Sequence, residues 1–182
     1  LCEYENAMPV GSVYQSYMTE TDFRKIPKEL RAIAMLRCLI VPERKETEVE
    51  QVLEEYDPAS EGGLAAEQKD TLVRKREADS IHSLKKDPDG FTAELNARER
   101  GYILFTVPYD DGFRAQVNGK PVQILESNGM MAVPAEKGEN RIRFTWRNYD
   151  LMAGIACTVC GTFLWGLYIW SGNRKTEKKK FW

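Results

Sequence analysis

The sequence has little histidine and little cysteine, and both shortages restrict its chemistry. His82 is the only histidine among 182 residues, so neither a histidine-based metal cluster nor a Ser-His-Asp triad can form within the chain. Of the four cysteines, Cys157 and Cys160 lie in an apolar run, and Cys2 and Cys38 are too distant in sequence to indicate a disulfide framework. Two alternatives remain for this pair: a Cys2–Cys38 disulfide bridge, or two free cysteines that are buried as small apolar residues. We expect no catalytic residue and no metal site in this chain.

The main body of the chain also lacks an excess of positive charge. The net charge is −2, but residues 171–182 hold five cations against Glu177, which leaves −6 for residues 1–170. Affinity for nucleic acid comes largely from clustered lysine and arginine. The acidic body therefore predicts that nucleic acid is not a partner.

Charge is missing altogether from residues 151–170. This apolar run has twenty positions, and at about 1.5 Å per residue a helix of that length spans about 30 Å, the thickness of a hydrocarbon core. Trp165, Tyr168 and Trp170 lie at its end, just before the basic residues 171–182, as is typical of a cytoplasmic membrane exit. We predict a transmembrane helix in the cell membrane, a cytoplasmic tail and an extracytoplasmic body. The lipid bilayer is the first expected partner.

The predicted membrane helix carries a stripe of small residues. Ala153, Cys157 and Gly161 recur every four positions, which lets a second helix approach closely. The stripe predicts packing against other transmembrane helices of a larger protein. The Cys157-Thr158-Val159-Cys160 spacing is that of a redox motif, but hydrocarbon offers nothing that would stabilise a thiolate. We therefore assign no redox role to it.

Residues 87–148 show the pattern of an antiparallel β-sandwich. Apolar and polar residues alternate over residues 91–95, 113–117 and 142–146, whereas residues 102–107 are apolar on both faces and indicate a central strand. Asn118-Gly119 predicts a two-residue hairpin, because both residues adopt the positive φ that a type I′ turn needs. Several short strands at this spacing favour a mainly β fold, a sandwich with an accessory N-terminal helix.

The upstream part divides into two segments. Residues 1–42 are predicted to form a loop and a helix over residues 28–41 that packs on the sheet, with Pro27 at its start. Thr21 is a candidate cap for a shorter turn before it. Residues 43–86 are dense in charge and are predicted to be a solvated, variable excursion with a helix over residues 65–76.

Two groups of residues are candidates for binding. Pro108-Tyr109-Asp110-Asp111-Gly112 combines an aromatic ring with carboxylates, which suits a sugar, but Pro108 and Gly112 are equally what a structural turn needs, as are Asn118 and Gly119. Adjacent exposed aspartates have nothing that separates their pKa values, so they do not form an acid and base pair. The turn interpretation is favoured over the binding one.

A row of arginines is the second candidate. Arg141, Arg143 and Arg147 alternate on the polar face of the last predicted strand and can contact anionic lipid headgroups or a teichoic phosphate. A solvated face is the simpler account.

Four short motifs occur in a defined order along the chain. They are Tyr4-Glu5-Asn6-Ala7-Met8-Pro9-Val10-Gly11, the segment 103–113 (ILFTVPYDDGF), Val117-Asn118-Gly119-Lys120 and Gly138-Glu139-Asn140. In this order and spacing they resemble the C-terminal end of the YfhO-type bacterial membrane proteins. The resemblance covers residues 4–41 and 90–170, and Phe113 departs from it because the family more often has tryptophan there. Since Leu1 is neither an initiator methionine nor part of a signal peptide, we expect the true N-terminus upstream.

The resemblance implies a function that this chain does not perform by itself. The family is similar to polytopic C-type glycosyltransferases, which transfer a sugar from a polyprenyl-phosphate donor to an external acceptor such as lipoteichoic acid. Their catalytic acidic residues lie in early loops absent from this chain, so the donor and a divalent metal are expected to bind the parent protein elsewhere. The first hypothesis is a non-catalytic acceptor-side or architectural domain of such an enzyme. The alternative is a non-enzymatic membrane-anchored module that binds cell-wall glycan or a partner protein.

Overall fold

The computed structural model describes residues 8–58, 69–147 and 149–178. Four parts of the sequence predictions lie outside the described residues. They are Cys2, residues 4–7 of the first motif, the start of the predicted helix at Ala65 and the last four residues of the basic tail. The chain divides into two compact units, Leu1–Trp146 and Arg147–Trp182. Each unit is described by itself.

Twelve strands, five α-helices and one 3-10 helix make up the described part of the chain. In chain order they are β1 (Gly11–Tyr14), β2 (Ser16–Thr19), α1 (Glu20–Lys25), α2 (Lys28–Arg37), β3 (Leu39–Val41), the 3-10 helix (Glu43–Lys45), α3 (Glu46–Val49), β4 (Glu54–Glu55), α4 (Lys69–Ala78), β5 (Ser83–Asp87), β6 (Gly90–Ala97), β7 (Gly101–Pro108), β8 (Phe113–Val117), β9 (Lys120–Val122), β10 (Leu125–Ser127), β11 (Met130–Ala135), β12 (Gly138–Trp146) and α5 (Tyr149–Lys178).

Two antiparallel sheets pack face to face, and this confirms the predicted mainly β sandwich. One sheet has the order β1-β7-β11-β10 and the other β5-β6-β12-β8-β9. Buried side chains of both sheets share one core, in which the rings of Phe105 and Phe144 lie 4.9 Å apart between centroids. Phe91 stacks on Phe144 at 4.8 Å. The period-two pattern is visible along β12, where Ile142 and Phe144 are buried and Arg141 and Arg143 are exposed.

A third, small sheet was not predicted. It has the order β3-β2-β4, and both pairings are parallel. The predicted helix over residues 28–41 ends at Arg37, and residues 39–41 form β3 instead. All three residues of β3 are buried, which is typical of a parallel strand covered on both faces. The short preceding helix also starts earlier than expected, because Thr19 rather than Thr21 caps α1 and accepts a hydrogen bond from the Asp22 backbone N–H.

The charged excursion is less solvated than its composition indicates. Val49, Leu53 and Tyr56 are buried beside the small sheet, and Val73 and Arg76 of α4 are buried as well. Most of the other positions in these short elements hold polar residues, and Leu72 of α4 is half-buried. A few apolar residues within a charged segment are therefore enough to attach it to the core.

The second unit contains α5. Within the described residues, one helix is long and apolar enough to cross a membrane, over Leu151–Trp170, with a mean hydropathy of 1.6 and no buried part. Among the residues whose burial is described, fifteen large apolar side chains are exposed, and eleven of them belong to this segment. A bilayer is the environment that such a surface requires.

Candidate functional site

The turn at residues 108–112 is built around the carboxylate of Asp110. Its Oδ1 accepts hydrogen bonds from the Gly112 backbone N–H at 2.7 Å and from the Trp146 indole Nε1–H at 3.1 Å. The backbone carbonyl of Asp110 accepts from the Phe113 N–H at 3.1 Å. Asp110 therefore holds the turn together and attaches it to the last residue of β12.

Tyr109 and Asp111 form a second pair in the same turn. The Tyr109 hydroxyl donates to Asp111 Oδ1 at 3.0 Å, and the Tyr109 backbone N–H donates to the Gly129 carbonyl at 2.8 Å. The ring is half-buried against the sandwich core, whereas Asp111 is exposed. Burial, followed by the hydrogen bond to Asp111, raises the pKa of the Tyr109 phenol above its usual value of 10. The pair is a fixed ring with a solvent-accessible carboxylate beside it.

The raised pKa of Tyr109 argues against a role in proton transfer. A phenol with a raised pKa stays protonated at neutral pH, so Tyr109 is not poised to exchange a proton. Nearby charges of both signs act on Tyr109, from Glu126 and from Arg44, whose side chains are 3.9 Å apart. A hydroxyl-rich ligand suits such a mixed surface.

Arg141 and Arg143 lie elsewhere, on the outer face of the five-stranded sheet. Arg141 pairs with Glu94 at 3.8 Å and Arg143 with Asp89 at 3.5 Å, and all four side chains are more than two-fifths exposed. A shallow groove of about 380 Å³ is lined by Ser83, Lys85, Asp87, Thr92, Glu94, Arg141 and Arg143. Exposed pairs of this kind contribute little to stability. The ion pairs of Arg141 and Arg143 are with Glu94 and Asp89, and not with the aspartates of the Tyr109 turn.

Asn118 and Gly119 form the predicted hairpin turn between β8 and β9, with φ of 52° and 79°. Asn118 does more than turn the chain. Its side-chain Oδ1 accepts from the Arg141 N–H at 2.8 Å, and its own N–H donates to the Arg141 carbonyl at 2.9 Å. The turn is therefore also hydrogen-bonded to β12.

Sequence reasoning missed the role of Trp146. The alternating pattern predicts it only as a strand residue. In the structure its indole N–H donates a hydrogen bond to Asp110, which lies 36 positions earlier in the chain. The side chain is 43% exposed. In the sequence, the one local signal is a tryptophan that ends an alternating strand, because a buried tryptophan or one at a strand end usually finds a partner for its N–H.

The remaining predicted site residues do not join the groups described above. His82 is exposed, and among the described residues no group of three His, Cys, Asp or Glu side chains is placed to hold a metal ion. Ala153, Cys157 and Gly161 lie on α5, and all three are exposed. Their role in packing against a neighbouring helix stays a prediction.

The comparisons with known proteins give a family. The model of the family described as bacterial membrane protein YfhO matches residues 63–158, just over half of the chain. The match contains the motifs at residues 103–113, 117–120 and 138–140, whereas residues 4–11 lie outside it. No curated protein and no solved structure matches the chain. With its sandwich and its apolar helix, the chain belongs to the family of the bacterial membrane protein YfhO.

Proposed function

We propose that this chain is the C-terminal, non-catalytic part of a membrane glycosyltransferase, and that its sandwich forms part of the surface that receives the acceptor. The observation that carries the proposal is the Tyr109–Asp111 pair, a fixed aromatic ring with an exposed carboxylate, in a chain of a membrane protein family. An aromatic ring packs against the C–H face of a sugar, and a carboxylate accepts bonds from its hydroxyls.

The catalytic machinery belongs to the rest of the parent protein in this proposal. The described residues offer no cluster that could hold a metal. The described part of the chain therefore does not fit a divalent metal. The polyprenyl-phosphate sugar donor binds outside this chain. Teichoic acid is the acceptor that the family resemblance favours.

The proposal also includes an orientation. The basic end of the chain, residues 171–182, lies in the cytoplasm, because positively charged flanks are retained there. The sandwich then lies outside the cytoplasm, where an envelope glycan is available. The small-residue stripe on α5 packs against other transmembrane helices of the parent protein.

The test compares two double variants of the full-length protein in native membranes. Tyr109→Ala with Asp111→Ala is expected to reduce glycan transfer about tenfold or more, the effect of losing a few contacts of about 1 kcal/mol each. Glu99→Ala with Glu139→Ala is the matched control, since it also removes exposed groups of the sandwich, at its opposite end. Abundance is matched by immunoblot, because a turn substitution can act through folding.

Equal transfer by both double variants at equal abundance would contradict an acceptor surface at the turn. If the full-length protein showed no glycan transfer and the membrane-bound chain still retained cell-wall glycan, the alternative of a non-enzymatic binding module would replace the proposal.

A further inference from the structure

A hollow of about 310 Å³ lies between α1 and the turn that joins β10 to β11. Its apolar lining residues are Phe23 and Ile40. Its polar lining comes from Glu20, Arg24, Arg31 and Asn128. An apolar floor with a few polar groups is the usual composition of a small-ligand site, and the volume lies at the lower end of the range for such sites. A single ring fits this space, whereas a nucleotide or a lipid tail needs more.

The aromatic part of the hollow is held rigidly. The Arg31 guanidinium lies 5.6 Å from the centroid of the Phe23 ring. It is fixed there by two hydrogen bonds to backbone carbonyls, from Nε to Ile26 at 3.1 Å and from Nη2 to Arg24 at 2.9 Å. The cation therefore keeps its place without a ligand, and the ring packs against the apolar cluster of Ile26, Ala34 and Ile40. A site that is already ordered lowers the entropic cost of binding a ligand.

The opposite wall is also fixed. Asn128 has a φ of 47° and Gly129 one of 76°, so the two residues form a tight turn. The Asn128 Nδ2 lies 3.4 Å from the Met35 sulfur, a weak acceptor that a ligand oxygen can replace. At the floor, the Ile40 N–H donates to Ser127 Oγ at 3.2 Å, which joins β3 to β10. The hollow is thus a product of the contact between the small parallel sheet and the sandwich.

The rim has the donors and acceptors that hydroxyl groups need. Glu20 and Arg24 form an ion pair at 3.4 Å, with the arginine side chain 78% exposed. A pair so exposed is weak, so either partner can turn to a ligand at small cost. Glu20 accepts hydrogen bonds, Arg24 donates them, and the Asn128 amide does both. A phosphate would meet the Glu20 carboxylate, whereas a neutral ring with several hydroxyls satisfies both signs.

We propose that this hollow is a binding subsite for one neutral sugar ring of a glycan, with the C–H face of the sugar against Phe23. The inference deepens the proposed function and rests on it for the role of that glycan as acceptor. The two sites adjoin, because Gly129 of the hollow accepts the hydrogen bond from the Tyr109 N–H at 2.8 Å. One ring at Tyr109 and a neighbouring ring at Phe23 then belong to the same glycan.

The test measures monosaccharide binding by saturation-transfer NMR on the complete 182-residue chain in lipid nanodiscs. The probes are methyl β-D-glucopyranoside and methyl β-D-galactopyranoside, for which a single ring predicts dissociation constants of about 1–10 mM. We expect transfer to the ring protons of at least one probe. Phe23→Ala is expected to weaken binding at least about fivefold, and Phe23→Tyr to retain it, since the ring is kept.

A second variant guards against misfolding of Phe23→Ala. Asn128→Gly removes the amide but keeps the turn, because glycine adopts a positive φ without strain. It is expected to weaken binding about threefold or more, the loss of one modest hydrogen bond. Leu84→Ala is the control, since it removes an exposed apolar side chain on β5 that does not line the hollow, and it should leave binding unchanged. The subsite would be overturned if neither sugar bound the chain. It would also be overturned if Phe23→Ala and Asn128→Gly both bound sugar as the unchanged chain does.

The two proposals fail separately. The part of monosaccharide binding that Phe23→Ala removes should be the same in the Tyr109→Ala with Asp111→Ala background as in the unchanged chain. Sugar binding at Phe23 together with undiminished glycan transfer by that double variant would retain the subsite and reject the acceptor turn. If the double variant lost glycan transfer and no sugar bound in the hollow, the acceptor turn would be retained and the subsite rejected.

Discussion

The guanidinium carbon of Arg76 lies 3.6 Å from the centroid of the Tyr14 ring, inside the protein. Arg76 is 6% exposed and donates hydrogen bonds to three backbone carbonyls, those of Val13, Leu36 and Arg37. Leu36 and Arg37 form the end of α2, where carbonyls have no partner within the helix and a positive charge is favourable. One buried cation therefore joins α4 to the sandwich and to the N-terminal helix.

Removing this cation is the first prediction. Arg76→Leu removes the side-chain donor that reaches the carbonyls of Val13 and Leu36 and is expected to lower the free energy of unfolding by about 3 kcal/mol or more. The measurement is urea denaturation of the chain in micelles. Arg100→Ala is the control: Arg100 pairs with Glu136 at 3.5 Å on the surface, and its loss should cost at most about 1 kcal/mol. Similar midpoints for the two variants would contradict the role of Arg76.

The hairpin at Asn118-Gly119 gives the second prediction. A Cβ at Gly119 would meet nothing within 4 Å, so any cost of a substitution there comes from its φ of 79°. Gly119→Val should lower the free energy of unfolding by about 1 to 3 kcal/mol and the thermal midpoint by several degrees. Gly119→Asn, which tolerates a positive φ, should cost less. Equal midpoints for valine and asparagine would show that backbone strain is not the cause.

The phenol of Tyr109 gives a third prediction, on pH. Because burial and Asp111 raise its pKa, the folded state favours the protonated phenol. The resulting stabilisation is present below pH 10, the unfolded value, and is lost as the pH rises through the higher folded value. Asp111→Asn should lower the pKa of Tyr109 but leave it above 10, since burial is the larger cause. Asp110→Asn should not lower it, because the amide oxygen still accepts the same bonds.

NMR of ¹³C-labelled tyrosine follows this titration residue by residue. A Tyr109 pKa that does not respond to Asp111→Asn would exclude the carboxylate as a cause.

Sidedness is the subject of the fourth prediction. In a chain with all four cysteines replaced by serine, single cysteines are introduced at Glu99, an exposed turn residue of the sandwich, and at Ser171, after the apolar run. A membrane-impermeant maleimide on intact cells should label the first and not the second, because the basic tail is retained in the cytoplasm. Labelling at position 171 alone would reverse the orientation.

The sequence alone determined the features that depend on local patterns. An uncharged run of twenty residues predicts the helix at Leu151–Trp170 whatever surrounds it, because length and polarity set the energy of a membrane span. Period-two alternation predicted the two antiparallel sheets, since it records which face of each strand is buried. The turn at Asn118 and Gly119 followed from the residues that tolerate positive φ.

Tertiary structure decided the features that depend on distant partners. The apolar residues 39–41 are compatible with the end of a helix or with a strand, and only their parallel pairing with β2 makes them a strand. The burial of Arg76 depends on carbonyls up to 63 positions away. The bond from Trp146 to Asp110 and the hollow between Phe23 and Asn128 likewise join segments far apart in sequence. Local patterns specify which face of an element is buried, but the contacts that build a site arise only when separate elements pack together.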